Sequence, residues 1–114
     1  MQVALEYEKN HQRIAEDVSV QNLGYDIRSR DENDNYRYIE VKARAQEGPV
    51  ALTPNEWLMA QRLGDDYWLY IVTNAASQPN LYLIQNPAAH LQPDEEIDIV
   101  RYVVKDWKKF AVVA

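Results

Sequence analysis

Three residues in this chain have the types and spacing for chemistry: Asp26 in "GYDIRS", and Glu40 and Lys42 in "YIEVKAR". Each stretch reads as a β-strand, with Tyr25 and Ile27 in one and Ile39 and Val41 in the other marking an apolar face. The polar "DENDN" between them (Asp31 to Asn35) makes the two a hairpin. Folded symmetrically about Asn33, the hairpin sets Ile27 against Ile39 and Tyr25 against Val41, so every apolar position lands on one side. The same register puts Asp26 opposite Glu40, with Lys42 two residues on. Facing carboxylates repel, so a positive group must lie between them. Lys42 alone would complete a surface salt-bridge triad of little energetic worth. A hard divalent cation such as Mg2+ (or Mn2+) is the other candidate, because it takes oxygen ligands and often uses one or two carboxylates plus water. With Lys42 beside it, such a site positions a water, lowers its pKa and stabilises a pentavalent phosphate.

The rest of the chain supplies the frame. "VALEYEKNHQRI" (Val3 to Ile14) has helical apolar spacing and predicts an opening helix. A short strand around Val18 and Val20 and a turn at Asn22 to Gly24 lead into the hairpin, whose second strand runs from Tyr36 to Arg44. "EGP" (Glu47 to Pro49) breaks the chain. "TPNE" then starts a second helix: Thr53 as N-cap, Pro54 at the first helical position, Glu56 closing a capping box, and Gly64 placed to end it. "YWLYIVTN" (Tyr67 to Asn74), apolar on both faces, predicts a central buried strand. Leu81 to Pro87 is another strand, Asp94 to Glu96 a solvated charge cluster, Ile97 to Val104 a last strand, and "KDWKKF" a helical turn. The order α-β-β-β-α-β-β predicts a mixed α/β domain with helices on a sheet.

At 114 residues the chain has the usual size of one domain, and 46% apolar with 26% charged residues is ordinary globular composition. No secretory leader and no run of about 18 apolar residues is visible, which predicts no membrane span and an intracellular, cytoplasmic protein. With no cysteine, disulfides, zinc-thiolate sites and cysteine nucleophiles are excluded. The net charge of −6 argues against nucleic-acid binding by bulk phosphate neutralisation; contact with DNA must use a local patch, a metal or a basic partner.

"GYDIRS" followed by "YIEVKAR" resembles the Asp…Glu-x-Lys signature of the PD-(D/E)XK nuclease superfamily. More narrowly, "EDVSVQNLGYDIRS", "YIEVKAR", "LTPNEWLMAQRLGDDYWLYIV" and "LIQNP" resemble the domain named after the C-terminal region of the plant protein NO VEIN, from about Tyr7 to Pro87. That resemblance implies a restriction-endonuclease-like fold, with residues 88–114 a C-terminal extension of the single domain. It implies helicase or restriction and defence modules as partners. It also implies an acidic ligand on the first helix, for which Glu8 is best placed with Glu6 behind it, and a glutamine on the helix after the signature strand, Gln61. Asn55 is the alternative on that helix. The expected site is then Asp26 and Glu40 holding the cation, helped by the Val41 carbonyl and Glu8, with Lys42 orienting the attacking water.

Glu56 is accounted for by its capping box and Asp17 by a turn. Arg28 and Arg44 flank the site as candidates for phosphate contact, and Tyr36 and Tyr38, on the Glu40 face, as candidates for stacking on a base; solvation and packing are the plainer fates. Trp57, Trp68 and Trp107 belong to the core, and His11 and His90 lack partners at ligand spacing. No G-x-x-x-x-G-K-[ST], G-x-G-x-x-G or G-x-S-x-G motif occurs. The expected activity is metal-dependent hydrolysis of DNA phosphodiester bonds, with a two-fold dimer favoured if both strands are cut. The rivals are a non-catalytic interaction module on the same fold and a structural domain with a plain salt-bridge triad.

Overall fold

The computed structural model describes residues 1–96 and 101–114. The hairpin lies at its centre. Strand β2 (Ile27–Arg30) pairs antiparallel with β3 (Tyr36–Ala43), Ile27 facing Ile39 and Arg28 facing Tyr38 as expected. The pairing ends at Ile27, however, and Tyr25, expected beside Val41 on the Ile27 side, packs on the opposite side with Leu69 and Ile71. The hairpin turn is held by Asp31, whose Oδ1 accepts the backbone N–H groups of Asn33 and Asn35, both at 2.9 Å. Strand β5 (Tyr67–Thr73) joins β3 in parallel, with Glu40 beside Leu69 and Lys42 beside Ile71. Adding β1 (Ile14–Asp17), β6 (Asn80–Gln85) and β9 (Val112–Val113) gives a six-stranded mixed sheet of order β1-β2-β3-β5-β6-β9.

Each face of this sheet carries its own core. Helix α1 (Gln2–Asn10) covers the face of Ile27, Ile39, Tyr70 and Val72, with Ala4 fully buried against them. Helix α2 (Pro54–Leu63) covers the other face, where Trp57 and Ala60 pack among Leu69, Ile71 and Ile84. The expected capping box is present: Thr53 Oγ1 accepts the Glu56 N–H at 3.1 Å, and Glu56 Oε1 accepts the Thr53 N–H at 2.8 Å. A second sheet of order β4-β8-β7, from Val50–Leu52, Arg101–Val104 and Asp94–Glu96, flanks α2. Trp107 fills the space beneath it and donates its indole N–H to the Gly48 carbonyl at 2.9 Å.

Several boundaries differ from the sequence reading. The first helix stops at Asn10 instead of reaching Ile14, because Gln12 takes a left-handed φ of 58° and turns the chain back into β1. Val18 to Val20 form no strand: Ser19–Gln21 is a 3-10 turn, anchored by Asp17 Oδ1 on the Ser19 N–H and hydroxyl. Strand β4 was not foreseen, and Asp94–Glu96 is a strand, not merely a charged loop. The expected Ile97 to Val104 strand is seen as β8 from Arg101; residues 97–100 lie outside the described residues. Asn86 at φ 51° ends β6 before Pro87, which opens a short helix α3 (Pro87–His90). Among the described residues no helix is long and apolar enough to cross a membrane.

Candidate active site

Asp26 sits just ahead of β2, where the ladder to β3 is interrupted. Its N–H donates to the Ile39 carbonyl and its own carbonyl accepts from the Val18 N–H, both at 2.8 Å, so one residue bridges β3 and the segment that follows β1. A residue in regular strand conformation turns both groups to the same neighbour. The main chain therefore leaves the Val41 N–H without a ladder partner, and the Asp26 carboxylate takes that place, Oδ2 accepting at 2.9 Å. Asp26 is thus close to Glu40 without being paired flat against it.

The turn before Asp26 is held tightly. Gly24 has φ +87°, and a Cβ there would lie 2.5 Å from Met59 Cγ and 3.1 Å from the Asn55 carbonyl oxygen. Tyr67, buried in β5, donates its hydroxyl to the Gly24 carbonyl at 2.8 Å. Only glycine lets the chain pass this close to α2.

Strand alternation sends Glu40 and Lys42 to the α2 face. Glu40 is 3% exposed. Lys42 Nζ lies 3.1 Å from Glu40 Oε2 and 2.9 Å from Glu56 Oε1. Glu56, read in the sequence only as a capping residue, therefore does two jobs with one oxygen. Burial pushes the Glu40 carboxyl up to about 9, against the attraction of Lys42 and with the help of the Glu56 and Asp26 charges. Burial also acts to raise Glu56, but Lys42 and the Thr53 N–H hold it below the usual carboxylate range. Burial would lower the Lys42 amine, yet Glu40 and Glu56 outweigh it and raise it. Of the two glutamates, Glu40 is thus pushed toward keeping a proton and Glu56 toward carrying a charge.

Asp26, Glu40 and Glu56 line one cleft of about 270 Å3, with Ser19, Asn22 and Asn55 at its edge. Among the described residues, no group of three or more His, Asp or Glu side chains is arranged to enclose a metal ion by itself.

The other sequence candidates lie elsewhere. Glu8 is fully buried on the opposite face of the sheet, beneath α1. It binds Arg13 through both oxygens, at 2.7 and 2.8 Å, and accepts the Tyr70 hydroxyl at 2.8 Å. A helical residue one turn from Ala4 must share its inward face, and that face meets Ile39 and Tyr70 instead of Glu40. Glu6 is exposed on α1. Gln61 is exposed on α2 and does not border the cleft, whereas Asn55 does. Arg44 reaches the Pro49 carbonyl, and Arg28 pairs with Glu16 at 3.1 Å. Trp57 and Trp107 are core residues, while Trp68 is partly buried beneath the Arg37 guanidinium, 3.8 Å from its ring. Glu56 could have been found in the sequence only by knowing that α2 starts against the Glu40 face.

A mixed sheet with a helix on each face, and an Asp…Glu-x-Lys set at the break of its hairpin, defines a restriction-endonuclease-like fold. Among solved structures the chain is similar to Hjc of Archaeoglobus fulgidus, a Holliday junction resolvase from an archaeal hyperthermophile, with a TM-score of 0.70 over 98% of this chain and 94% of that one, at 15% identity. The chain belongs to the family described as protein NO VEIN, C-terminal, which matches residues 1–84. No curated protein matches the sequence.

Proposed function

We propose that this domain is a divalent-metal-dependent nuclease that hydrolyses DNA phosphodiester bonds, with the cleft between β3 and α2 as its active site. The observation that carries the reading is that Asp26 and Glu40 line one cleft, with Lys42 Nζ 3.1 Å from Glu40 Oε2. The donor chemistry fits a hard cation. Asp26 and Glu40 offer carboxylates, no histidine borders the cleft, and the Val41 carbonyl points to the same side as its N–H, toward Asp26. Two carboxylates, a carbonyl and waters suit Mg2+ or Mn2+. Bound there, the ion would supply Lewis acidity at water and phosphate.

Lys42 has the reach and charge to hold a water or a phosphate oxygen at the mouth of the cleft. To serve as a ligand, Glu40 would have to be deprotonated. Glu56, pinned by the Thr53 N–H, keeps the Lys42 amine from swinging into solvent. Helicase or defence modules are the partners that would bring DNA to so acidic a domain, and a two-fold dimer would cut both strands.

The test is cleavage of plasmid and single-stranded DNA with Mg2+ or Mn2+. Wild-type protein is expected to cut, whereas Lys42→Ala and Asp26→Asn lose cleavage while keeping their far-ultraviolet circular dichroism. Cleavage by either variant at the wild-type rate would overturn the assignment. A second reading, a non-catalytic interaction module, is favoured by one observation: Lys42 is already shared between two carboxylates. It requires no cleavage with either metal and no metal-dependent rise in melting temperature.

A further inference from the structure

The face of the sheet that carries Glu40 is only partly covered by α2. Register places Ile14 and Glu16 of β1, Arg30 and Arg28 of β2, and Tyr36 and Tyr38 of β3 side by side on it. Ile14 is 62% and Tyr36 41% exposed, Arg28 and Arg30 are half-buried, Tyr38 packs partly against the core, and a trough of about 570 Å3 runs between β1 and Tyr36. Between the trough and the cleft lie the rings of Tyr36, Tyr38 and Tyr25. The Tyr36 and Tyr38 rings stack with centroids 6.1 Å apart and planes 15° from parallel. Tyr38 meets Tyr25 edge-on at 5.1 Å, and Tyr25 lines the cleft beside Asp26 and Glu40.

We propose that this open face is a docking surface for a single strand of DNA, which it leads from Tyr36 toward the cleft; the proposal rests on the nuclease reading for its direction. Unstacked bases find platforms in exposed aromatic rings, and sequence-independent strand binding pairs such rings with backbone cations. Tyr36 and Ile14 supply the apolar surface, and Arg28 and Arg30 the cations. Their present partners, Glu16 at 3.1 Å and Asp34 at 3.2 Å, form exposed ion pairs of small worth, so the guanidinium groups can exchange them for phosphates. With a net charge of −6, contact with a polyanion must use a local patch, a metal or a basic partner, and the arginine pair offers such a patch. A duplex offers no unstacked base to Tyr36, which is why the surface fits one strand and not two.

The experiment is fluorescence anisotropy with a labelled thymidine oligonucleotide in EDTA, so that binding is read without metal or cleavage. The wild-type protein is expected to bind, Tyr36→Ala to bind about fivefold or more weakly, and Tyr36→Phe to bind like wild type. Arg28→Gln with Arg30→Gln is expected to flatten the salt dependence by about 0.7 in log–log slope per arginine. Unlabelled duplex should compete less well than the unlabelled single strand. A 5-bromouracil oligonucleotide should photocrosslink to Tyr36 or Tyr38, a readout that needs no variant. The proposal is overturned by absence of single-strand binding, by wild-type affinity in Tyr36→Ala, by equal competition from duplex, or by crosslinks confined to other surfaces. Each result is separate from the cleavage assay: binding without cleavage keeps the docking surface and removes the nuclease, and duplex cleavage without single-strand binding does the reverse.

Discussion

The Lys42 ammonium stands 2.9 Å from Glu56 Oε1, which ties the middle of β3 to the first turn of α2. The same oxygen accepts the Thr53 N–H, so the helix cap and the lysine share one acceptor. Through this contact the helix start becomes part of the cleft. Burial, helped by the Glu56 and Asp26 charges, pushes the neighbouring Glu40 toward keeping its proton.

That proton gives a pH dependence with a definite sign. Glu40 titrates at about 9 in the fold against an ordinary value of 4.5, so the native state binds the proton more tightly than the unfolded chain. Its stabilising contribution is complete below about pH 4.5, declines as pH rises, and is gone above about 9. Glu40→Gln removes this slope. Relative to wild type, the variant is expected to gain stability between pH 5 and pH 8.5, measured as urea midpoints; a constant difference across that range rules the assignment out.

Cation binding should oppose the same penalty. Addition of Mg2+ or Mn2+ is expected to raise the melting temperature, more at pH 8 than at pH 6, because the ligand must lose its proton. At a hundredfold excess over the dissociation constant the gain is about 2.7 kcal/mol. Asp26→Asn should abolish the shift. An equal shift in that variant would place the ion elsewhere.

On the other side of the sheet, the buried Glu8–Arg13 pair is expected to behave in the opposite way. Burial acts to raise Glu8, but Arg13 and the Tyr70 hydroxyl outweigh it and hold the carboxyl below its ordinary value. Its contribution is therefore present above about pH 4.5 and is lost as pH falls through the lower native value. Arg13→Ala leaves the carboxylate unpaired and should cost about 3 kcal/mol in urea unfolding at pH 7, with a smaller loss near pH 4. Metal-induced stabilisation should survive in Glu8→Gln, because this residue lies across the sheet from the cleft.

Gly24→Ala tests the turn that sets Asp26. The added Cβ would meet Met59 and the Asn55 backbone in a left-handed conformation, so a loss of about 1–3 kcal/mol is expected from urea unfolding. Stability equal to wild type would overturn the close approach of this turn to α2.

The hairpin register was legible in the chain because strand pairing obeys a period of two: shifting it by one would have turned Ile27 and Ile39 to solvent. Helix α2 was legible because Thr53, Pro54 and Glu56 satisfy its first turn by themselves. β5 was legible because a run apolar on both faces has no other stable place. These features are fixed by neighbours within a few residues, and they sufficed to bring Asp26, Glu40 and Lys42 toward one point.

What the chain alone could not decide was which face each helix covers and where its ends meet the sheet. Glu8 sits on the inward stripe of α1, and only the docking of α1 against Ile39 and Tyr70 sends it away from Glu40. Glu56 caps α2 in any context, and only the placement of that cap against β3 makes it the partner of Lys42. The break at Asp26, the second sheet and the uncovered arginine–tyrosine face arise in the same way. A local pattern sets which side of an element is apolar, but contact between elements distant in sequence is settled by the packing of the whole core.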